Sequence, residues 1–354
     1  MYVIPPIAIT DSLLSASTVI ETTPAAYAGG TTYALDDLVY VGTVGSALTV
    51  YKSLQASNTG HTPASSPTWW ENVGAVYAEY SSGTTYALGA TVQVAATHLV
   101  YESLAAGNVG HAVTDTTKWM PMGNTNRWAM FDTLRSTPSV APSSITAVVT
   151  PGQRVNSLAL VGLSNVGTAI ITASSTTGGG SVYSLTESLS TREVFDMYDY
   201  FFAPFSMRNA LLVNDIPPYS DIVITVTCST TSGSVSVGGC VVGNSEYLGG
   251  VEYNAEDDVI NFSTVDRNTY GTATMVARRN VPKTVQTVWC DKSRVRSIRN
   301  IREALNATTA VWYGLDDDSD DYFESLLIMG FYRKFSINLA HPTSAILNIE
   351  LEEV

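Results

Sequence analysis

Thr31-Thr32-Tyr33-Ala34-Leu35 returns as Thr84-Thr85-Tyr86-Ala87-Leu88, an offset of 53 residues. Tyr51-Lys52-Ser53-Leu54 returns as Tyr101-Glu102-Ser103-Leu104, and Asn58-Thr59-Gly60-His61 as Asn108-Val109-Gly110-His111, both at an offset of 50. Thr68, Trp70 and Gly74 return as Thr117, Trp119 and Gly123, at 49. The drop from 53 to 50 places a three-residue deletion opposite the loop Gly42-Thr43-Val44-Gly45-Ser46, a change that a Gly/Ser hairpin tip tolerates. The stretch is therefore a duplicated module of roughly fifty residues, and a repeat of that period decides how the rest of the chain is divided.

Each copy reads as short strands. Asp37-Leu38-Val39-Tyr40-Val41 and Ala90-Thr91-Val92-Gln93-Val94 are β-type runs, followed after turns by Val50-Tyr51-Lys52-Ser53-Leu54 and Val100-Tyr101-Glu102-Ser103-Leu104. The order Val-Tyr-x-Ser-Leu, Asn-x-Gly-His, then Trp-x-x-x-Gly resembles the small chitin-binding-type carbohydrate modules of families 5 and 12. That resemblance implies three-stranded mini-sheets that stack sugars on exposed aromatic rings. The strand that would carry further aromatics holds Leu54-Gln55-Ala56 and Leu104-Ala105-Ala106 instead. The sugar-contacting candidates are then Trp69, Tyr77 and Tyr80, read as lying outside the repeated aromatic positions, because a ring offers apolar surface to the C–H face of a sugar. The repeated Tyr33, Tyr51, Trp70, Tyr86, Tyr101 and Trp119 read as the cores of two very small domains. Trp69 stands between the two readings, since copy two has Lys118 there and lysine is rarely buried. His61 and His111 recur in register. One histidine per copy builds no metal site, which leaves turn capping or hydrogen bonding to sugar.

Composition bounds the remainder. With 14% charged residues and 45% hydrophobic ones, 354 residues suffice for several β-rich domains. A net charge of −14 argues against nucleic acid as a partner. No apolar run reaches a membrane-spanning length, and Met1-Tyr2-Val3-Ile4-Pro5-Pro6-Ile7 lacks the pattern of a secretory signal, so the expectation is synthesis in a cytosol without membrane insertion. Cys228, Cys240 and Cys290 have no metal-ligand spacing and read as buried free thiols.

In chain order, the Pro-containing residues 1–24 read as an extended arm that pairs with a neighbouring subunit or stays mobile. The modules occupy 25–75 and 76–124. From 125 to 250 many short strands with turns at Pro151-Gly152, Gly178-Gly179-Gly180 and Pro217-Pro218 predict a jelly-roll-like β-sandwich. Tyr198 to Phe205, dense in aromatics, reads as a packed connection between sheets. From 251 to 354 an α+β region is expected, with one helix starting at Ser293 as N-cap and burying Val295, Ile298, Ile301 and Leu305. The fold class is thus mainly β.

Candidate chemistry is sparse. Asp316, Asp318 and Asp320 have the alternate spacing of a calcium loop but lack its glycine and its final glutamate, so a solvated turn is the better reading. Arg294, Arg296, Arg299 and Arg302 form a basic helix face, either solvated or docked on an acidic neighbour. Asp257-Asp258 is the nearest approach to a glycosidase pair, and no nucleophile motif or phosphate loop is present. No catalytic residue, metal or cofactor is assigned.

Three further segments, Asn126-Arg127-Trp128-Ala129-Met130-Phe131-Asp132, Asp215-Ile216-Pro217-Pro218-Tyr219-Ser220-Asp221 and Gly330-Phe331-Tyr332-Arg333-Lys334-Phe335-Ser336-Ile337, resemble structural proteins of tailed bacteriophages. The resemblance implies a location in the virion tail, tail tip, baseplate or neck. The expected partners are other tail or neck proteins, copies of the same chain, and host-surface polysaccharide. A purely architectural role for the modules and a glycan depolymerase are the alternative expectations.

Overall fold

The computed structural model describes residues 1–192, 196–253, 255–315, 323–339 and 341–354. The chain starts inside its own C-terminal sheet. Tyr2–Ile4 forms β1, which pairs antiparallel with Glu246–Tyr247 on one side and Ala310–Tyr313 on the other. Leu14–Ser17 forms β2, an edge strand of the central sandwich. Residues 1–24 are thus extended, but the partner expected in a neighbouring subunit is found within the same chain. The cause is apolar: Met1, Val3, Ile4, Leu14 and Val19 are all buried, and a buried strand must find partners for its backbone groups.

The duplicated modules come next. In module 1, Leu38–Val41 (β3), Leu48–Ser53 (β4) and Trp70–Val76 (β5) form an antiparallel sheet, joined by Ala25–Ala26 at its edge. In module 2, Thr91–Val94 (β6), Leu99–Ser103 (β7) and Trp119–Asn124 (β8) repeat it. The register of β4 on β5 slips between Val50 and Tyr51, and that of β7 on β8 slips at the matching place between Val100 and Tyr101. The three extra residues of copy one lie in the loop before β4. There the Gly45 carbonyl accepts from the Thr91 amide at 2.9 Å, so the insertion is a contact between the modules.

The sandwich is built from Ser139–Val149 (β9), Ser157–Ser164 (β10), Thr168–Ser175 (β11), Gly180–Ser188 (β12), Ala210–Val213 (β13) and the long Val223–Gly243 (β14). β9 pairs along its length with β14, from Ile224 to Val237. The first half of β14 also pairs with β11 and its second half with β10, which carries β13. The ladder jogs at Pro142/Ser144, opposite Gly233, and the two ends of the sheet close over one core. Alternate residues of both halves, among them Ile145, Ala147, Leu158, Leu160, Ile171, Ile224, Val226, Val235 and Val237, make that core. Cys228 and Cys240 are part of it. Both are free and buried, and burial pushes the Cys228 thiol up to about 12 and Cys240 higher still.

β10 and β13 are buried on both faces, which explains their near-continuous apolar runs. Their outer face, with Ala159, Val161, Ala210 and Leu212, packs on Ile4, Val311, Tyr313, Phe323, Leu327 and Met329 of an eight-stranded C-terminal sheet. That sheet takes in Glu246–Tyr247 (β15), Glu256–Asn261 (β16), Asn280–Asp291, Ala310–Tyr313, Leu327–Asn338 and Ser344–Glu353, with β1 inserted between β15 and Ala310–Tyr313. Gly330 has to be glycine, since a Cβ there would meet the Glu352 carbonyl oxygen at 2.0 Å. Helix Val295–Ala304 covers the opposite face through Ile298 and Leu305, with Val295 and Ile301 half-buried. The tight turn Lys292–Arg294 that leads into it is capped by Asp291, whose carboxylate accepts from the Ser293 amide at 2.8 Å; Ser293, expected as the helix cap, is instead the residue capped, and Arg294 precedes the helix with no side-chain cap.

The aromatic cluster expected to pack between sheets does not do so. Asp196 caps a short helix, Met197–Phe202, and Tyr198, Tyr200, Phe201, Phe202 and Phe205 are each 61–69% exposed. The acidic run Asp316 to Asp321 lies outside the described residues.

Candidate functional site

The residues common to both modules are consumed by the fold. In module 1 the Tyr33 hydroxyl accepts from the Ala28 amide at 2.8 Å and donates to the Ala28 carbonyl; in module 2 Tyr86 does the same to Ser81. The indole N–H of Trp70 donates to the His61 carbonyl at 2.7 Å, and that of Trp119 to the His111 carbonyl at 3.0 Å. Gly60 and Gly110, at φ +76° and +75°, turn the chain so that those carbonyls point inward. Buried Asn58 ties Ser53 Oγ to the Trp69 carbonyl, and Asn108 ties Ser103 Oγ to the Lys118 carbonyl. The repeated Asn-x-Gly-His therefore acts through its amide, its turn and its backbone oxygen, with the imidazole rings left over.

The five candidate contact residues fall in three places. His61 and Trp69 meet on module 1, their rings stacked at 3.9 Å with 12° between planes. Both are half-buried, and Trp69 also leans on the Tyr33/Val39/Trp70 core, so neither of its faces is wholly free. Tyr80 and His111 are joined on module 2, where the Tyr80 hydroxyl donates to the His111 carbonyl at 2.7 Å. Tyr80 is not outside the repeat. It stacks on Tyr86 and meets Trp119 edge-on, as Tyr27 does with Tyr33 and Trp70, and the Tyr27-to-Tyr80 offset is the 53 of the first block. Tyr77 lies apart from both, in a cleft of about 360 Å³ between module 1 and the sandwich, with Asn72, Gln93, Asn126 and Pro142. The structure thus brings His61 and Trp69 together as a surface pair and does not join the other three to it.

Module 2 replaces the pair. Lys118 stands where Trp69 does, and the exposed His111 faces Asp115, with Nδ1 3.7 Å from Oδ2. The Thr117 hydroxyl at 2.6 Å and its amide at 3.0 Å hold the Asp115 carboxyl below the usual range, with the His111 charge adding to the effect.

A second cluster was not singled out from sequence. Glu21, buried, accepts from Thr125 Oγ1 at 2.6 Å and Trp128 Nε1 at 3.0 Å, and its other contact is His98 Nδ1 at 2.9 Å. The far nitrogen of His98 lies 3.2 Å from Asp11, and its ring packs on Trp128. Arm, module 2 and sandwich are fastened there by one carboxylate. Nothing local marks Glu21 within Val-Ile-Glu-Thr-Thr-Pro, because all its partners lie more than seventy residues away.

The remaining candidate chemistry does not assemble. Asp257 and Asp258 are neighbours on β16 and so point to opposite faces; Asp257 lines a cleft and Asp258 lies opposite Lys283. Among the described residues no group of three His, Cys, Asp or Glu is arranged to hold a metal, and no helix is long and apolar enough to cross a membrane. On the basic helix, Arg294 lies over the Tyr247 ring and donates to its carbonyl, while Arg302 pairs with Glu303. Compared with protein-family models and with curated proteins, the chain matches none.

Proposed function

We propose that this chain is a non-enzymatic structural protein of a tailed-bacteriophage virion, in its tail or tail tip, whose module 1 contacts host-surface glycan through His61 and Trp69. The observation that carries the glycan contact is the difference between the copies. Module 2 keeps the whole scaffold with Lys118 at the position of Trp69, so the fold does not require an aromatic ring there. A stacked His61–Trp69 pair at the surface offers an apolar edge beside imidazole hydrogen-bonding groups, the combination that meets a sugar's C–H face and hydroxyls. One small platform of this kind binds weakly, and several copies on one particle raise the avidity. The virion location is supported by the resemblance of the 126–132, 215–221 and 330–337 segments.

The test is binding of the full chain, wild type and Trp69→Ala, to host-surface polysaccharides on a glycan array. Saturable binding lost in the variant supports the reading; equal binding by both would remove Trp69 from it. A second reading, that the modules are purely architectural, is favoured by the partial cover on Trp69 and by Tyr77 facing the sandwich. It predicts no glycan binding and cross-links from the modules to neighbouring virion proteins. The chain's presence in purified virions, read by mass spectrometry, tests the location common to both.

A further inference from the structure

Among the described residues, the exposed large hydrophobic side chains are concentrated. Of twenty-eight, seven lie between Met197 and Met207 and seven between Tyr253 and Val276, so half sit on about a tenth of the chain. Neither stretch is a ragged surface loop. The first is closed at its base by pairing of Ser190–Thr191 with Ser206–Met207, and its rings pack on each other: Tyr198 on Phe202 at 4.9 Å, Tyr200 on Phe201 at 5.1 Å. The second is a hairpin that leaves the C-terminal sheet beyond β16. Its outer strands, Thr264–Arg267 and Ala273–Val276, pair only with each other and set Val265 across from Met275. A lone two-stranded hairpin is marginally stable in water at best. Its persistence with Phe262, Val265, Tyr270 and Met275 in solvent calls for something to cover them.

The two stretches are rooted at one cleft. A cleft of about 330 Å³ is lined by Asn209 and Ala210, just past the first, and by Asp257 and Val259, at the base of the second. Applying the exposed fractions of Tyr198, Tyr200, Phe201, Phe202, Phe205, Phe262 and Tyr270 to the surface an aromatic side chain carries gives roughly 900 Å². That exceeds the roughly 300–600 Å² of a typical monomer's largest apolar patch and reaches the about 800 Å² per partner of a stable interface.

We propose that the aromatic segment Asp196–Met207 and the hairpin Glu256–Asn280 form one docking surface whose occupant is a second copy of this chain. Charge selects that occupant. Beyond its acidic base at Glu256, Asp257 and Asp258, the hairpin carries Arg267, Arg278 and Arg279 against Asp266, in a protein of net charge −14, whereas the aromatic segment carries Asp196 and Asp199, with Arg192 over Phe205 at its edge. Arg279 is committed to Glu353, but the Arg278 guanidinium has no hydrogen-bond or ion-pair partner among the described residues. The outer hairpin of one copy therefore fits the aromatic and acidic segment of the other, through apolar cover, a cation over rings and attraction between opposite charges. Because both halves rise from one cleft on each copy, two copies related by a two-fold axis can exchange them reciprocally. This inference does not rest on the glycan or virion reading.

The experiment is light scattering coupled to size exclusion on the full chain over a dilution series. The wild type is expected at a multiple of 37.8 kDa. Phe201→Ser/Phe202→Ser and Val265→Ser/Met275→Ser are each expected to run at the single-chain mass, and Arg278→Glu to weaken association at least tenfold. The substituted apolar side chains are exposed in the single chain, so its circular dichroism and melting are expected to be retained. Arg278→Glu tests the surface without altering any apolar contact. A wild type that stays at 37.8 kDa at every concentration overturns the proposal. So does an assembly whose mass and affinity are unchanged by all three variants, since its contact would then lie elsewhere.

Discussion

In module 1 the residue before the core tryptophan is Trp69, stacked on His61; in module 2 it is Lys118, and His111 turns to Asp115. Behind this difference the two modules agree in strand pairing, in the position of the register slip, in the Tyr–Trp edge contacts and in the indole-to-carbonyl hydrogen bond. A duplicated domain separates its residues by what changed. Positions held in both copies explain the fold, and positions that diverged are free to take another role. Module 2 diverged toward charge, and it is the copy fastened to the body through Glu21. Module 1 kept an aromatic pair and lies beside the open cleft that holds Tyr77.

The largest effect is expected from the shared core. Trp70→Ala and Trp119→Ala each remove a buried indole from a cluster with only three or four buried residues. A cost of about 3–5 kcal/mol is enough to unfold the affected module. Hydrogen exchange should show protection lost in the mutated copy and kept in the other. Collapse of both modules with either change would mean that they fold as one unit.

A smaller, one-sided effect is expected at the fastening point. Glu21→Gln leaves Trp128 Nε1, Thr125 Oγ1 and His98 sharing one acceptor oxygen where there were two, and brings a new amide donor among them. The expected loss is about 1–3 kcal/mol. Limited proteolysis near residues 95–128 should accelerate while the interior of module 1 is unaffected. Equal acceleration in both modules would remove the asymmetry.

Acid should distinguish the copies more gently. Asp115 is held below the ordinary carboxylate range by Thr117, so its contribution is present above the unfolded value near 3.9 and is lost as pH falls through the lower folded value. Module 1 has Ser66 at the matching place. Exchange measured down that pH range should weaken module 2 first, by a small amount because the group is at the surface. The body carries a similar group in Asp221, held well below its usual value by Ser175 and Thr176 at the Gly178 turn, so the comparison is made between the two modules.

The modules were legible because their information is local and stated twice. The β-type runs of the two copies located β3, β4, β6 and β7, the third strand of each module was implied only by the resemblance to three-stranded modules, and the indel fell at the loop where the copies differ. Tyr80 could have been placed too, since its offset from Tyr27 equals that of the first matched block. The body was legible as strands but not as pairings. Nothing near Tyr2–Ile4 says that it completes a sheet with residues 246–247 and 310–313, because strand pairing is a long-range choice. For the same reason Glu21 carried no signal, its three partners being far along the chain. Tyr198 to Phe205 misled in the opposite sense. An aromatic run implies cover, but sequence does not say whether that cover comes from the same chain, and here those rings face outward.

The measurement that bears most directly on the account is a glycan-array titration of the full chain in four forms: wild type, Trp69→Ala, His61→Ala and Lys118→Ala. The account predicts saturable binding to host-surface polysaccharide that is abolished in Trp69→Ala, reduced in His61→Ala and unchanged in Lys118→Ala. Binding that survives the first two substitutions, or that is lost with Lys118, would contradict it.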